Sequence, residues 1–267
     1  MSLVIGLNSI HPRYYFSLAY MLRQLISLLI SLALLTASLS GQAQESPLRV
    51  AVIDNSAPMS YIDSDGKLAG FNVAIAEALC AEMKAKCKLI LTKLDFLVDD
   101  LAAGTYDFAA LGLLVTPERQ KKILFSQSIY RSTTIWLAKP GVHPGAKNVR
   151  VSTFRGSLQE KYAKSQGWDQ FSSHSYDDFI EQVSAGVTNA MIAPLMTSIA
   201  LQKDPRYLTL GLVPTPLRVA ELEGEACFGI NPKRSDLKEK LDKSLFVLRE
   251  NGTYGRINSQ YLPFRVN

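Results

Sequence analysis

Histidine and cysteine are scarce in this chain. Of three histidines only His143 and His174 lie beyond residue 43, and the three cysteines are Cys80, Cys87 and Cys227. Neither of those histidines stands near a cysteine in sequence, so the ligand spacing of a metal site is missing and no metal is expected. The chain also lacks a Gly-rich phosphate loop and a Ser/His/Asp ordering, so no catalytic residue and no cofactor are expected. A one-sided charge is absent too. Beyond residue 43, 27 basic residues face 24 acidic ones, a net +3, and the two signs are mixed throughout. Nucleic-acid binders carry clustered basic stripes, so a nucleic-acid partner is not expected.

Long apolar runs are nearly absent. The exception is Leu25 to Leu39, which follows Met21-Leu22-Arg23 and ends at Gly41-Gln42-Ala43. A positive start, an apolar stretch and small residues at the cleavage positions read as a secretory signal over 21–43. Fifteen positions are too few to span a bilayer comfortably. Residues 1–20 then read as an upstream extension, and the exported chain begins near Gln44 with 224 residues. No cysteine lies near the cleavage point, so a free periplasmic protein is expected rather than a lipid-anchored one.

An oxidising compartment gives the cysteines meaning. Cys80 and Cys87 flank six residues in LCAEMKAKC and read as a disulfide, with a metal site as the competing reading. Cys227, in the apolar ACFGI, reads as a buried free thiol.

Strand and helix patterns alternate along the rest. Apolar strand signals fall at Leu48 to Ile53, Lys88 to Thr92 and Asp107 to Leu113, with helices at Phe71 to Met83 and Phe96 to Ala103. After a β-rich run, Ile129 to Ala138, and a Pro/Gly loop, Lys139 to Asn148, the pattern restarts. It gives strands at Val149 to Thr153 and Ala190 to Ala193, with helices at Gly156 to Gln166, Asp177 to Ser184 and Ile199 to Lys203. An irregular β segment, Gly211 to Glu221, leads back to a strand at Ala226 to Ile230 and a long helix at Ser235 to Asn251. This is an α/β chain with largely parallel sheets. One β/α half is interrupted by a second and then completed. That order predicts two lobes joined by two hinge crossings, with a ligand cleft between them. Lobe one is 44–130 with 221–267, the hinge strands are 131–138 and 214–220, and lobe two is 139–213.

Thr116-Pro117-Glu118-Arg119 follows the buried strand. Threonine suits an N-cap and proline the first helical position, so a short helix starts there. Arg119, one turn in, stands where an anion can be held by a planar guanidinium fork.

These pieces resemble the periplasmic solute-binding proteins of polar-amino-acid ABC transporters. The resemblance runs over the whole exported length. It rests on LRVAV with APMSY, DGKLAGFNVAIAEAL, DDLAAGTYDFAALGLLVTPERQKKILFS, FRGSLQEKY, SAGVTNAMI and LRENGTYGRINSQYLPF. It implies a two-lobed type II periplasmic binding protein, a monomer that captures an amino acid or related small carboxylate by lobe closure and delivers it to an inner-membrane ABC permease. The Cys80–Cys87 spacing also resembles the disulfide of the basic-amino-acid receptors.

The site residues implied by the resemblance are taken one by one. Arg119 clamps the ligand carboxylate. Gly112 matches the family's strand end, while Leu114 stands where a hydroxyl residue is usual and keeps only its backbone N–H. Ser157 matches the second-lobe turn, and Leu158 departs from its threonine. Pro194 stands where the family has the aspartate that pairs with the ligand ammonium. Ile53 and Ser56 replace acidic and aromatic residues, and Asp54, one step away, is a stand-in acid. A pocket of Ile53, Leu94, Leu111, Leu114, Leu158 and Pro194 around Arg119 suits an anionic, partly apolar ligand, because an ammonium buried without a counter-charge is costly; the competing reading is a zwitterionic amino acid held by backbone carbonyls or by Asp54. Strand alternation leaves a competing register in which some of these leucines face the core. Arg155, beside the second-lobe turn, reads equally as a further contact or an exposed arginine.

Two other functions stay open. Cyclohexadienyl dehydratases resemble the same family and need a general acid, for which Glu160 and Asp54 are the candidates. A sensory ligand-binding protein is the third reading.

Overall fold

The computed structural model describes residues 23–27 and 46–266. Residues 23–27 are helical and exposed. Apart from them, the expected signal segment and the upstream extension lie outside the described residues. Among the described residues no helix is long and apolar enough to cross a membrane.

Two five-stranded sheets organise the chain from Leu48 on. In the first, β1 (Leu48–Val52) is central among parallel strands, and β2 (Tyr61–Ile62) and β3 (Leu68–Ala69) form a separate small hairpin. β4 (Cys87–Leu91) and β5 (Phe108–Leu114) flank β1 in parallel. β6 (Leu124–Ser132) closes the edge through β12 (Gly224–Ile230), giving the order β4-β1-β5-β12-β6. The second sheet holds β7 (Thr134–Ala138), β8 (Arg150–Phe154), β9 (Asp169–Ser173), β10 (Ala190–Pro194) and β11 (Val213–Leu217) in the order β11-β7-β10-β8-β9.

The expectation of largely parallel sheets needs correction. Only β4-β1-β5 and β10-β8-β9 are parallel; β12 runs antiparallel to β5 and β6, and β7 antiparallel to β10 and β11. The antiparallel strands are those next to the two chain passages between sheets, where the chain reverses without a crossover helix. The β-rich run Ile129 to Ala138 is likewise two strands, split at Thr133 between the two sheets.

The helices cover the sheet faces. α1 (Phe71–Glu82) buries Phe71, Asn72, Val73, Ile75, Ala76, Leu79 and Cys80, and Phe71 meets Tyr130 and Tyr254 edge-on at 6.1 and 5.8 Å between ring centroids. Gly70 opens it at φ 123°, and a Cβ there would lie 2.5 Å from the Met59 carbonyl oxygen, so only glycine fits this entry. α2 (Leu94–Ala103) ends at the left-handed Gly104, φ 88°. α3 (Pro117–Gln120) follows β5 directly. α4 (Leu158–Ser165), α5 (Tyr176–Ser184), α6 (Leu195–Leu201) and the short α7 (Pro205–Leu208) belong to the second sheet's half. α8 (Ser235–Glu250) and α9 (Thr253–Tyr261) return to the first, where Leu237, Leu241, Leu245 and Leu248 join a core with Phe108 and Phe228.

Cys80 in α1 and Cys87 at the start of β4 are bonded, with Cα atoms 6.2 Å apart, and Cys227 is free and buried. Burial pushes the Cys227 thiol up to about 11, so it stays protonated. The cross-link closes a short loop and removes chain entropy mainly from the unfolded state. Replacing both cysteines with serine is expected to lower the unfolding free energy by about 2–3 kcal/mol in urea titrations. Equal stability of the two forms would mean that the bridge constrains nothing.

Candidate functional site

One cavity gathers the ends of β5, β8 and β10 with the starts of α2, α4 and α6. Its wall includes Arg119, Gly112, Leu114, Leu94, Ser157, Leu158 and Pro194. Asp54 is not part of that wall. Ile53, Ser56 and Leu111 also border the cavity. Leu111 and Leu94 do both jobs, since each also packs against the apolar cluster of Phe154, Ile135 and Leu137.

Local sequence places Arg119. The Thr116 side chain accepts from the Arg119 backbone N–H at 3.2 Å, and Pro117 takes the first helical position. The guanidinium then turns back to donate through Nη1 to the Leu114 carbonyl at 3.1 Å. No acidic side chain forms an ion pair with it among the described residues. Burial lowers its pKa to about 10, with Glu118 opposing, so it remains charged at neutral pH. It is the one charged side chain on this wall; the adjoining cavity, which shares Leu94, Arg119, Ser157 and Leu158 with it, is lined by Asp95, Asp99, Glu118 and Glu160 and by Lys122, Lys161 and Lys164.

The facing turn is built by its own cap. Ser157 accepts from the Glu160 N–H at 3.1 Å, and the Glu160 carboxylate reaches back to the Gly156 N–H at 2.7 Å. Lys164 and Ser172 also donate to Glu160, at 2.8 and 2.7 Å, and these bonds hold its pKa below the usual carboxylate value despite its burial. Glu160 is therefore an ionised structural anion holding three hydrogen bonds; it is absent from this wall but lines the adjoining cavity with Arg119, Ser157 and Leu158. Arg155 is also absent from this wall.

The two halves touch at this turn. Gly156 has φ 78°, and a Cβ on it would lie 2.4 Å from the Asp95 Cα at the start of α2. Lys161 of α4 and Glu118 of α3 form an ion pair across the same edge, with both side chains exposed and so worth little by itself. Burial keeps the Tyr176 phenol of α5 above the ordinary value, with Thr197 and Ser56 opposing. Gly112 is required because the Tyr130 hydroxyl would lie 2.3 Å from a Cβ at that position.

Several wall residues had no counterpart in the sequence reading: Asn72, Tyr130, Ser132, Gln159, Tyr176 and Thr197. Gln159 donates to Thr134 Oγ1 at 3.0 Å, while Asn72 is fully buried with neither side-chain atom bonded. A buried amide left unpaired costs on the order of 1–3 kcal/mol. A signal for Asn72 was present, since 72, 75, 76 and 79 share one helical face that is otherwise Ile75, Ala76 and Leu79.

Comparison with known proteins agrees with this architecture. The chain is 26% identical over 257 residues to the lysine/arginine/ornithine-binding periplasmic protein of Escherichia coli K12, covering 92% of this chain and 99% of that one. It is 29% identical over 255 residues to the L-arginine-binding protein of Pseudomonas aeruginosa, covering 90% and 97%. Among solved structures, an ancestral amino acid-binding protein described as a precursor of cyclohexadienyl dehydratase superposes with a TM-score of 0.70 at 22% identity, over 84% of this chain and 99% of that one. Residues 48–264 match the bacterial extracellular solute-binding proteins, family 3, and the two-sheet α/β chain with its cleft between halves belongs to that family.

Proposed function

We propose that this protein is the periplasmic substrate-binding component of an ABC transporter. It captures a small carboxylate that carries no α-amino group, by closure of two lobes, 44–130 with 221–267 and 139–213. Arg119 is the carboxylate clamp, and the closed form is what an inner-membrane permease receives. The observation that carries this reading is the cavity at the strand ends, whose single charged residue is Arg119; the acids near it, Asp95, Asp99, Glu118 and Glu160, line the adjoining cavity. An anion gains a counter-charge there, whereas an ammonium would lose its water without one, at a cost of several kcal/mol. The two relatives are named for basic amino acids. This wall offers no carboxylate to such a cation, and the resemblance puts Pro194 where the family has its ammonium anchor.

The cavity favours binding over catalysis. A dehydratase needs a general acid against its substrate. Glu160 is ionised and already holds three hydrogen bonds, and neither it nor Asp54 is on the wall of this cavity.

The test is a thermal-shift panel on purified protein stripped of ligand by unfolding and refolding. Each pair is an L-amino acid and the same acid without its amino group, such as phenylalanine with 3-phenylpropionate or leucine with 4-methylpentanoate. A ligand at a hundred times its Kd stabilises by about 2.7 kcal/mol, roughly 5–10 °C for a chain of this size. Deaminated acids are expected to raise Tm and their amino-acid partners to leave it unchanged. The opposite pattern removes the proposal, and turnover of a bound acid would favour the enzyme.

A further inference from the structure

Asn72 is the buried polar group that the carboxylate clamp leaves unused. It sits in the first turn of α1, fully buried, and borders the cavity. Its backbone N–H is spent on the Met59 carbonyl at 2.8 Å. Both Nδ2 and Oδ1 are unpartnered, so exchanging the two ends of the amide would not satisfy either. Buried side-chain amides are nearly always bonded. One that is orphaned at both ends on a cavity wall is a recognition point awaiting a partner.

The chemistry of the partner follows from what an amide offers. Asn72 presents donors on Nδ2 and an acceptor on Oδ1. A cationic group would use only the acceptor, a carboxylate only the donors, and an alkyl group neither. A primary carboxamide or a ring lactam uses both at once, through a paired N–H···O contact in each direction. We propose that Asn72 is a specificity-determining residue that selects a ligand with a carboxamide-type group in addition to its carboxylate. This inference rests on Arg119 holding the carboxylate; together the two residues describe a monoanionic acid-amide.

The experiment is calorimetry with three carbamoyl acids, succinamate, glutaramate and 4-carbamoylbenzoate. Each is compared with its dicarboxylate and its methyl-ketone analogue (succinate and levulinate for the first). At least one carbamoyl acid is expected to bind tenfold or more tightly than both of its counterparts. Asn72→Leu, similar in size, should bring that ratio below twofold. Should Asn72→Leu fail to fold, Asn72→Asp serves instead, and it should turn the preference toward the ω-amino acids 4-aminobutyrate, 5-aminovalerate and 4-(aminomethyl)benzoate. No carbamoyl preference in the native protein, or a preference that survives both substitutions, overturns the assignment. Acids that all bind equally and still need Arg119 would sink the Asn72 proposal alone. A carbamoyl preference lost in the Asn72 variants but kept in Arg119→Ala would sink the carboxylate clamp alone.

Discussion

Arg119→Ala is expected to weaken the binding of any carboxylate ligand by a hundredfold or more, while the ligand-free protein keeps its fold. Hydrogen bonds to a charged group contribute about 1.5–3 kcal/mol each, and a guanidinium can make two of them to one carboxylate. Their joint loss of about 3–6 kcal/mol corresponds to two to four decades in Kd. The fold itself depends little on this side chain, whose Nη1 donates to the Leu114 carbonyl and whose stem is half-buried. Arg119→Lys should recover the charge but not the planar fork, and its affinity should fall between the two. Calorimetry on the stripped protein at pH 7 reads both effects. An affinity unchanged by the substitution would place the ligand's charge elsewhere.

Local features of this protein were legible in the sequence because they rest on neighbours in the chain. Thr116 and Pro117 define the start of α3 within four residues, and the cap appears as read. Cys80 and Cys87 lie close enough for their spacing to suggest a bond, and Gly104 marks the end of α2 with its left-handed backbone. Strand direction was less legible, since it depends on where the chain crosses between sheets. Nothing in the β-rich run Ile129 to Ala138 marks Thr133 as the point of transfer; only pairing of β6 with β12 and of β7 with β10 does. Strand β9, Asp-Gln-Phe-Ser-Ser, was invisible because it is a polar edge strand whose order comes from its partner β8. The cavity wall divides in the same way. Arg119, Leu114, Leu158 and Pro194 sit in motifs with their own spacing, whereas Tyr130 and Tyr176 reach the cavity from elements whose local patterns carry no mark of it. Asp54 illustrates the opposite error: adjacency in sequence to Ile53 does not carry it to the wall that Ile53 borders.

Pro194→Asp is expected to reverse the ligand preference, so that the amino acid of each pair binds at least tenfold more tightly than its deaminated partner. The backbone is ready for the change. Pro194 ends β10, pairs with Thr134 and occupies the N-cap of α6 with φ −56°, ψ 148° and no side-chain cap. Aspartate favours that position, where its carboxylate can accept from the first free N–H groups of the helix, a gain of about 0.5–2 kcal/mol over an uncapped start. Ligand-free Tm should therefore hold or rise. The same carboxylate would stand on a wall that now has none, bringing a second charge opposite in sign to Arg119. For a zwitterion it supplies the missing partner of the ammonium, and close charge pairs in desolvated sites couple by about 1.5 kcal/mol or more, at least tenfold in Kd. For a plain acid it is a second anion in the same cavity, so affinity for that class should fall. The two effects move in opposite directions, which makes the ratio within each pair a more sensitive reading than either affinity alone. If both members of each pair bind Pro194→Asp as they bind the native protein, the charge at position 194 does not face the ligand. The argument from the empty ammonium anchor would then fail even with Arg119 intact.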